Sequence, residues 1–211
     1  MQAPEIRLLS TNESLAVFAS MARMHTEEIG QGFLTSLGTP LLERLYRAIE
    51  TCPQAFILVA SAEGHLIGFL CASLNTRDVY RHVIIRSWPY LFSAGVARLF
   101  AWRTLSRCWE TLRYPARSTG HSLPNAEILN FCVTRRLQRA GIGMKLFKAM
   151  ECEYRRRGIH QIKIVTGHAQ SQAIRFYEKL GAEAVGRIEV HARVESHLFR
   201  YEIRNGVVDS Q

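Results

Sequence analysis

Asn130-Phe131-Cys132-Val133-Thr134-Arg135-Arg136-Leu137-Gln138-Arg139-Ala140-Gly141-Ile142-Gly143-Met144 decides how this chain is read. An apolar run of strand character, 127–133, leads into a turn whose two glycines open a helix predicted over 142–157. Ile142, Leu146, Met150 and Tyr154 share one side of that helix, and Gly158 closes it. Glycine has no Cβ, so a ligand can come close to the backbone. The first amides of a helix lack intrahelical acceptors and sit at the positive end of its dipole. Such a pocket suits an anion, most naturally a pyrophosphate, and Arg135, Arg136 and Arg139 add positive charge. No Gly-Lys-(Ser/Thr) follows, so this is not a Walker loop. Nor is it a Gly-x-Gly-x-x-Gly after a first strand, which disfavours a dinucleotide fold. Taken alone, the segment also reads as a plain loop with a glycine at a helix start.

Outward from this segment the pattern is a strand at 5–9, then a helix capped by Ser10-Thr11-Asn12 with Leu15, Phe18, Ala19 and Ala22 at helical spacing. Thr39-Pro40 starts a second helix, threonine as cap and proline first in the helix, with Leu42, Leu45, Tyr46 and Ile49 as its stripe and Pro53 as its stop. Residues 56–60 and 66–74 pair as a hairpin around Ser61-Ala62-Glu63-Gly64. Residues 81–117 read as mostly helical, broken at Pro89 and Gly95 and ended by Pro115. A strand at 161–165 follows the glycine-opened helix. A further helix at 171–180 carries Ala173, Phe176, Tyr177 and Leu180 in a stripe and ends at Gly181. Strands at 184–191 and 197–203 complete one mixed α/β domain spanning 1–211, with no linker that divides it.

The helix Ala173-Ile174-Arg175-Phe176-Tyr177-Glu178-Lys179-Leu180-Gly181 is the second informative segment. Tyr177 lies at the edge of its apolar stripe, where a tyrosine can also be plain core with a satisfied hydroxyl. Together the two segments resemble the GNAT superfamily of acyl-CoA N-acyltransferases. Gln138, Gly141 and Gly143 match its (Arg/Gln)-x-x-Gly-x-(Gly/Ala) signature, and 173–181 matches its Ala-x-x-(Phe/Leu)-Tyr-x-x-x-Gly helix. The resemblance covers 127–182 closely and 5–74 in element order, but not 78–120. Where the family often has an asparagine three residues before the helix alanine, this chain has Gln170, an amide one methylene longer.

That resemblance implies a mostly antiparallel, twisted central sheet, splayed between its fourth and fifth strands, with helices on both faces and a long helical insertion. It implies acetyl-CoA as acyl donor and no metal. Gln138, Arg139, Ala140, Gly141, Ile142, Gly143 and Met144 would cradle the pyrophosphate. Phe131, Cys132 and Val133 would hold the pantetheine, with Gln170, Ala173 and Phe176 alongside. An unpaired amide at the splay would polarise the thioester carbonyl. Tyr177 would protonate the departing CoA thiolate, a fair leaving group with a pKa of about 8.5.

The attacking amine must be neutral, which calls for a base. Glu127 is the first candidate, since it opens an otherwise apolar strand and related enzymes often place a carboxylate there. Strict alternation puts Glu127, Leu129, Phe131 and Val133 on one face and Ile128, Asn130 and Cys132 on the other. A solvent-facing acid at a strand start is the alternative. His25 and Glu28, near the end of the first helix, and His168, after the fifth strand, are further candidates. A hydrolase triad finds no nucleophile elbow to support it.

The composition fits this reading. The chain has 211 residues, is 47% hydrophobic and 21% charged, and has no repeat, no low-complexity tract and no apolar window long enough to span a membrane. The first thirteen residues are not a signal peptide. Five scattered cysteines without a Cys-x-x-Cys pair read as buried thiols in a reducing cytoplasm.

The formal charge of +9 is uneven: 78–120 holds seven arginines and two acids among aromatic residues. This block reads as helices covering the core, as a dimer contact or acceptor-site lid, or as a segment on an anionic membrane surface. No nucleic-acid motif accompanies the charge. The expected activity is transfer of acetyl from acetyl-CoA to a primary amine of a small molecule such as an amino sugar. The alternative is a non-catalytic acyl-CoA-binding or membrane-surface module. The expected location is the cytoplasm, with the inner face of a membrane as a possible station.

Overall fold

The computed structural model describes residues 3–10, 13–29, 35, 38–93, 123–191 and 194–204. Seven strands form one sheet in the order β1-β2-β3-β4-β5-β7-β6. They are β1 (Glu5–Leu8), β2 (Ala55–Ala62), β3 (His65–Ser73), β4 (Glu127–Val133), β5 (Gln161–Gly167), β6 (Glu183–His191) and β7 (Val194–Glu202). The helices are α1 (Leu15–Glu28), α2 (Thr39–Glu50), α3 (Thr76–Ser93), α4 (Ile142–Arg156) and α5 (Ser171–Leu180).

Every pairing is antiparallel except that of β4 with β5, which is parallel and has two register pairs, Glu127 with Lys163 and Ile128 with Ile164. Beyond Ile128 the two strands part, so the sheet is splayed where the family resemblance expects it. Period-two alternation sends Phe56, Leu58, Ala60, Leu70, Ala72, Ile162 and Ile164 to one side, against α4 and α5. It sends Ile57, Val59, Phe69 and Cys71 to the other, against α1, α2 and Val79 of α3.

Three local expectations are corrected. Ser14, not the 10–12 segment, caps α1 by accepting from the Ala16 amide; Thr11 and Asn12 lie outside the described residues. Gly38, at φ +80°, occupies the cap position of α2, and Thr39 is already helical. The α3 backbone runs through Pro89 to Ser93: proline removes one donor from the helical ladder, and the helix continues past it. The remainder of the 78–120 segment, with Gly95, Cys108 and Pro115, lies outside the described residues.

The alternation expected along β4 is also broken. The register with β3 shifts between Cys71, paired with Asn130, and Ala72, paired with Ile128, which leaves Leu129 as a bulge. Ile128 therefore shares a side with Phe131 and Val133, toward α4, while Leu129 and Cys132 face α1 and α2. Among the cysteines, Cys52, Cys71 and Cys132 are buried thiols as expected, but Cys152 is exposed.

Candidate functional site

The turn that follows β4 is built by two residues in the left-handed region. Arg139 (φ +67°) and Gly141 (φ +80°) bracket Ala140, and Gly141 is the N-cap of α4. Gln138 steadies the approach: its Nε2 donates to the Val133 carbonyl at 3.1 Å. The Ala140 amide is taken by the Leu137 carbonyl at 3.3 Å. Among the described residues, no protein acceptor takes the amides of Arg139, Gly141, Ile142, Gly143 or Met144. The bend is not plugged either. A Cβ on Gly141 would meet nothing within 4 Å, and one on Gly143 would lie 3.7 Å from Phe131 and 3.9 Å from Phe176.

The loop borders a cavity of about 930 Å³, of the size that holds an extended organic ligand. Its walls bring together most of the residues singled out in the sequence: Phe131, Cys132, Val133, Gln138, Arg139, Gly141, Gly143, Met144, Gln170, Ala173, Phe176 and Tyr177. Ala140 and Ile142 belong to the same loop without lining the cavity, and Ile142 is buried in the core. Gln170 stands at the head of α5, where its Oε1 accepts from Thr166 Oγ1 at 2.7 Å. That leaves its Nε2 as a donor.

Tyr177 is 5% exposed, packs beside Phe176 and Phe199, and makes no hydrogen bond through its hydroxyl among the described residues. Burial pushes its phenol up from the usual range, so it stays protonated at neutral pH.

Glu127 does not line this cavity. It is 8% exposed at the root of the splay, where Oε2 accepts from Thr76 Oγ1 at 2.9 Å and lies 3.3 Å from Lys163 Nζ. The bulge at Leu129 separates it from the face of Phe131 and Val133. Glu28 is the acid that does line the cavity. It accepts from the Arg135 amide at 3.0 Å, with Arg135 Nε at 3.7 Å, and so ties the end of α1 to the turn after β4.

His25 is a core residue, 2% exposed, with Nδ1 2.5 Å from the Tyr46 hydroxyl, and burial pushes its pKa down to about 4. His168 stacks on His197 outside the cavity, with Nδ1 and Nε2 3.1 Å apart.

The lining also contains Arg175 and Lys179, which the sequence reading does not single out. Lys163 was missed too, although a lone lysine in the apolar run Gln161-Ile162-Lys163-Ile164-Val165 is a visible signal. Among the described residues, no group of three or more His, Cys, Asp or Glu side chains is arranged to hold a metal.

Comparison with known proteins places this geometry. The family model described as the acetyltransferase (GNAT) family matches residues 24–182. No curated protein matches the chain. Ard1 from Thermoplasma volcanium is 17% identical, covers 96% of this chain and 99% of its own, and superposes with a TM-score of 0.60. The ribosomal-protein-S18-alanine N-acetyltransferase from Escherichia coli is 11% identical, with 99% of each chain covered and a TM-score of 0.58. yncA from Salmonella typhimurium, solved with its cofactor acetyl-CoA, is 14% identical, covering 98% of this chain and 97% of its own, with a TM-score of 0.58. At these identities the solved structures share the fold.

Proposed function

Because the chain belongs to the acetyltransferase (GNAT) family, we propose that it moves the acetyl group of acetyl-CoA to a primary amine by direct attack, without an acylated enzyme. The observation that carries this is the set of untaken amides at Gly141, Gly143 and Met144, residues that line the cavity at the head of α4. These donors, at the positive end of a fifteen-residue helix, fit a diphosphate. Phe131, Cys132 and Val133 line the way from the loop into the gap between β4 and β5, and Gln170 Nε2 offers a donor there to an amide carbonyl of the donor's arm.

The thioester supplies an activated acyl group and a thiolate leaving group. Tyr177 supplies the proton for that sulfur: it is in the cavity wall, neutral, and has no protein acceptor among the described residues. Glu127 receives the amine's proton through water, held by Thr76 and Lys163 at the root of the gap. Glu28 competes for this role because it is the carboxylate that lines the cavity.

A small amine such as an amino sugar is the first acceptor to try. Buried unpaired thiols suit a reducing cytoplasm. No helix among the described residues is long and apolar enough to cross a membrane. On α3, Ile85 is 62% exposed beside the exposed Arg86. An anionic membrane surface for this segment is a second reading, resting on that pair. Binding to phosphatidylglycerol vesicles but not to phosphatidylcholine vesicles in flotation is the expected result.

Free-thiol release from acetyl-CoA against a panel of amines tests the activity. Tyr177→Phe should lower turnover by about 100-fold while calorimetry shows acetyl-CoA affinity within about twofold of the parent. Of Glu127→Gln and Glu28→Gln, the one that removes the base should abolish the acid limb of the pH–rate profile. Failure of the parent protein to bind acetyl-CoA or any longer acyl-CoA overturns the reading.

A further inference from the structure

We propose that Arg175 and Lys179 of α5 form a phosphomonoester subsite that recognises the 3′-phosphate of coenzyme A. The inference rests on the acyl-CoA reading above and concerns a part of the donor which that reading leaves unassigned. Arg175 and Lys179 are four residues apart, so they project from one flank of α5, beside the stripe of Ala173, Phe176, Tyr177 and Leu180 that faces the core. Both line the cavity, as does Arg139 across from them on the loop.

Charge balance points to a second anion. Among the described residues, four cations, Arg135, Arg139, Arg175 and Lys179, line the cavity against one carboxylate, Glu28, and that carboxylate already faces Arg135. Among the described residues, Arg139, Arg175 and Lys179 have no ion-pair partner, whereas Arg156 and Arg157 share Glu153 and Arg200 has Glu183. A diphosphate at the loop amides accounts for Arg139. It does not account for two further cations on α5.

Coenzyme A carries one more strongly charged group, a ribose 3′-phosphomonoester close to dianionic at neutral pH. Arginine offers it a planar fork and lysine a point charge. Arg175 and Lys179 stand one helical turn apart, about 6 Å of axial rise, so one phosphomonoester can meet both.

The experiment compares coenzyme A with 3′-dephospho-coenzyme A by titration calorimetry, on the parent protein and on the R175A/K179A variant. Both side chains are exposed, and a melting curve verifies that the variant folds. The parent is expected to prefer coenzyme A by about tenfold or more, the range of a charge-assisted contact. The variant should lose that preference and keep its affinity for the dephospho form within about twofold.

Lys179→Arg should retain the preference. Equal binding of both ligands by the parent overturns the subsite alone, as does a variant that keeps the preference or loses both ligands equally. If the parent binds neither ligand, the acyl-CoA reading fails with it.

Discussion

Gly141 and Gly143 lie two residues apart in one loop and carry different constraints. Gly141 is left-handed, with open space where a Cβ would stand, so its cost is one of backbone alone. Alanine there should destabilise the fold by about 1 kcal/mol. Gly143 has helical backbone and tolerable neighbours, so alanine should gain helix propensity, up to about 1 kcal/mol. Calorimetric melting should therefore shift down for Gly141→Ala and up for Gly143→Ala. Weakened acetyl-CoA binding in the stabilised Gly143→Ala variant would show that this glycine serves the ligand. The need for glycine at this turn is legible in the sequence. Which glycine bends the chain is not, because backbone torsion is set by how β4 delivers the loop to α4, and Arg139 adopts a left-handed torsion as well. Glu127 is a similar case: its residue type and strand position stand in the sequence, while its partners Thr76 and Lys163 come from distant segments.

Helices are the most legible elements, because each stripe of three or four apolar residues reports one packed face. The stripe of α4 is buried throughout, while in α5 Tyr177 and Leu180 are buried and Ala173 and Phe176 are half-buried against the core. Strands are read by alternation, and alternation fails where a neighbour's register slips. Nothing local to Glu127–Val133 announces the bulge at Leu129, since it is a relation between β4 and β3. The join of α3 to the sheet is likewise invisible from either side alone. Thr76, at the first turn of α3, bonds Glu127 and the Asn125 carbonyl, and Lys163 on β5 completes the group. Removing one member of a buried pair strands the other's charge. Lys163→Ala should thus lower stability by about 3 kcal/mol, and joint replacement by Lys163→Met and Glu127→Leu should recover most of that loss in chemical denaturation.

Across the whole molecule, two apolar layers enclose one sheet, and the layer under α1 and α2 holds a titratable pair, His25 with Tyr46. Burial holds His25 near pKa 4 against an ordinary 6.5, so the folded form refuses a proton that the unfolded chain accepts between those values. Stability is unaffected above pH 6.5 and is lost as the pH falls through that window, by up to about 3 kcal/mol. Denaturant midpoints at pH 7 and pH 4.5 should show this fall, and His25→Gln should flatten it. Element order is legible in the sequence because hydrophobic period and punctuation are whole-chain signals, whereas the splayed sheet is legible only through the family resemblance.

The parting of β4 from β5 has one last consequence. Two rungs, with Phe147 and Glu151 of α4 reaching Tyr201 on β7, hold the halves of the sheet together at that seam. The proposed donor, lying in the slot above them, would stand in for the missing rungs as an eighth ribbon of the protein. Its departure would then be an unzipping of the molecule's own middle.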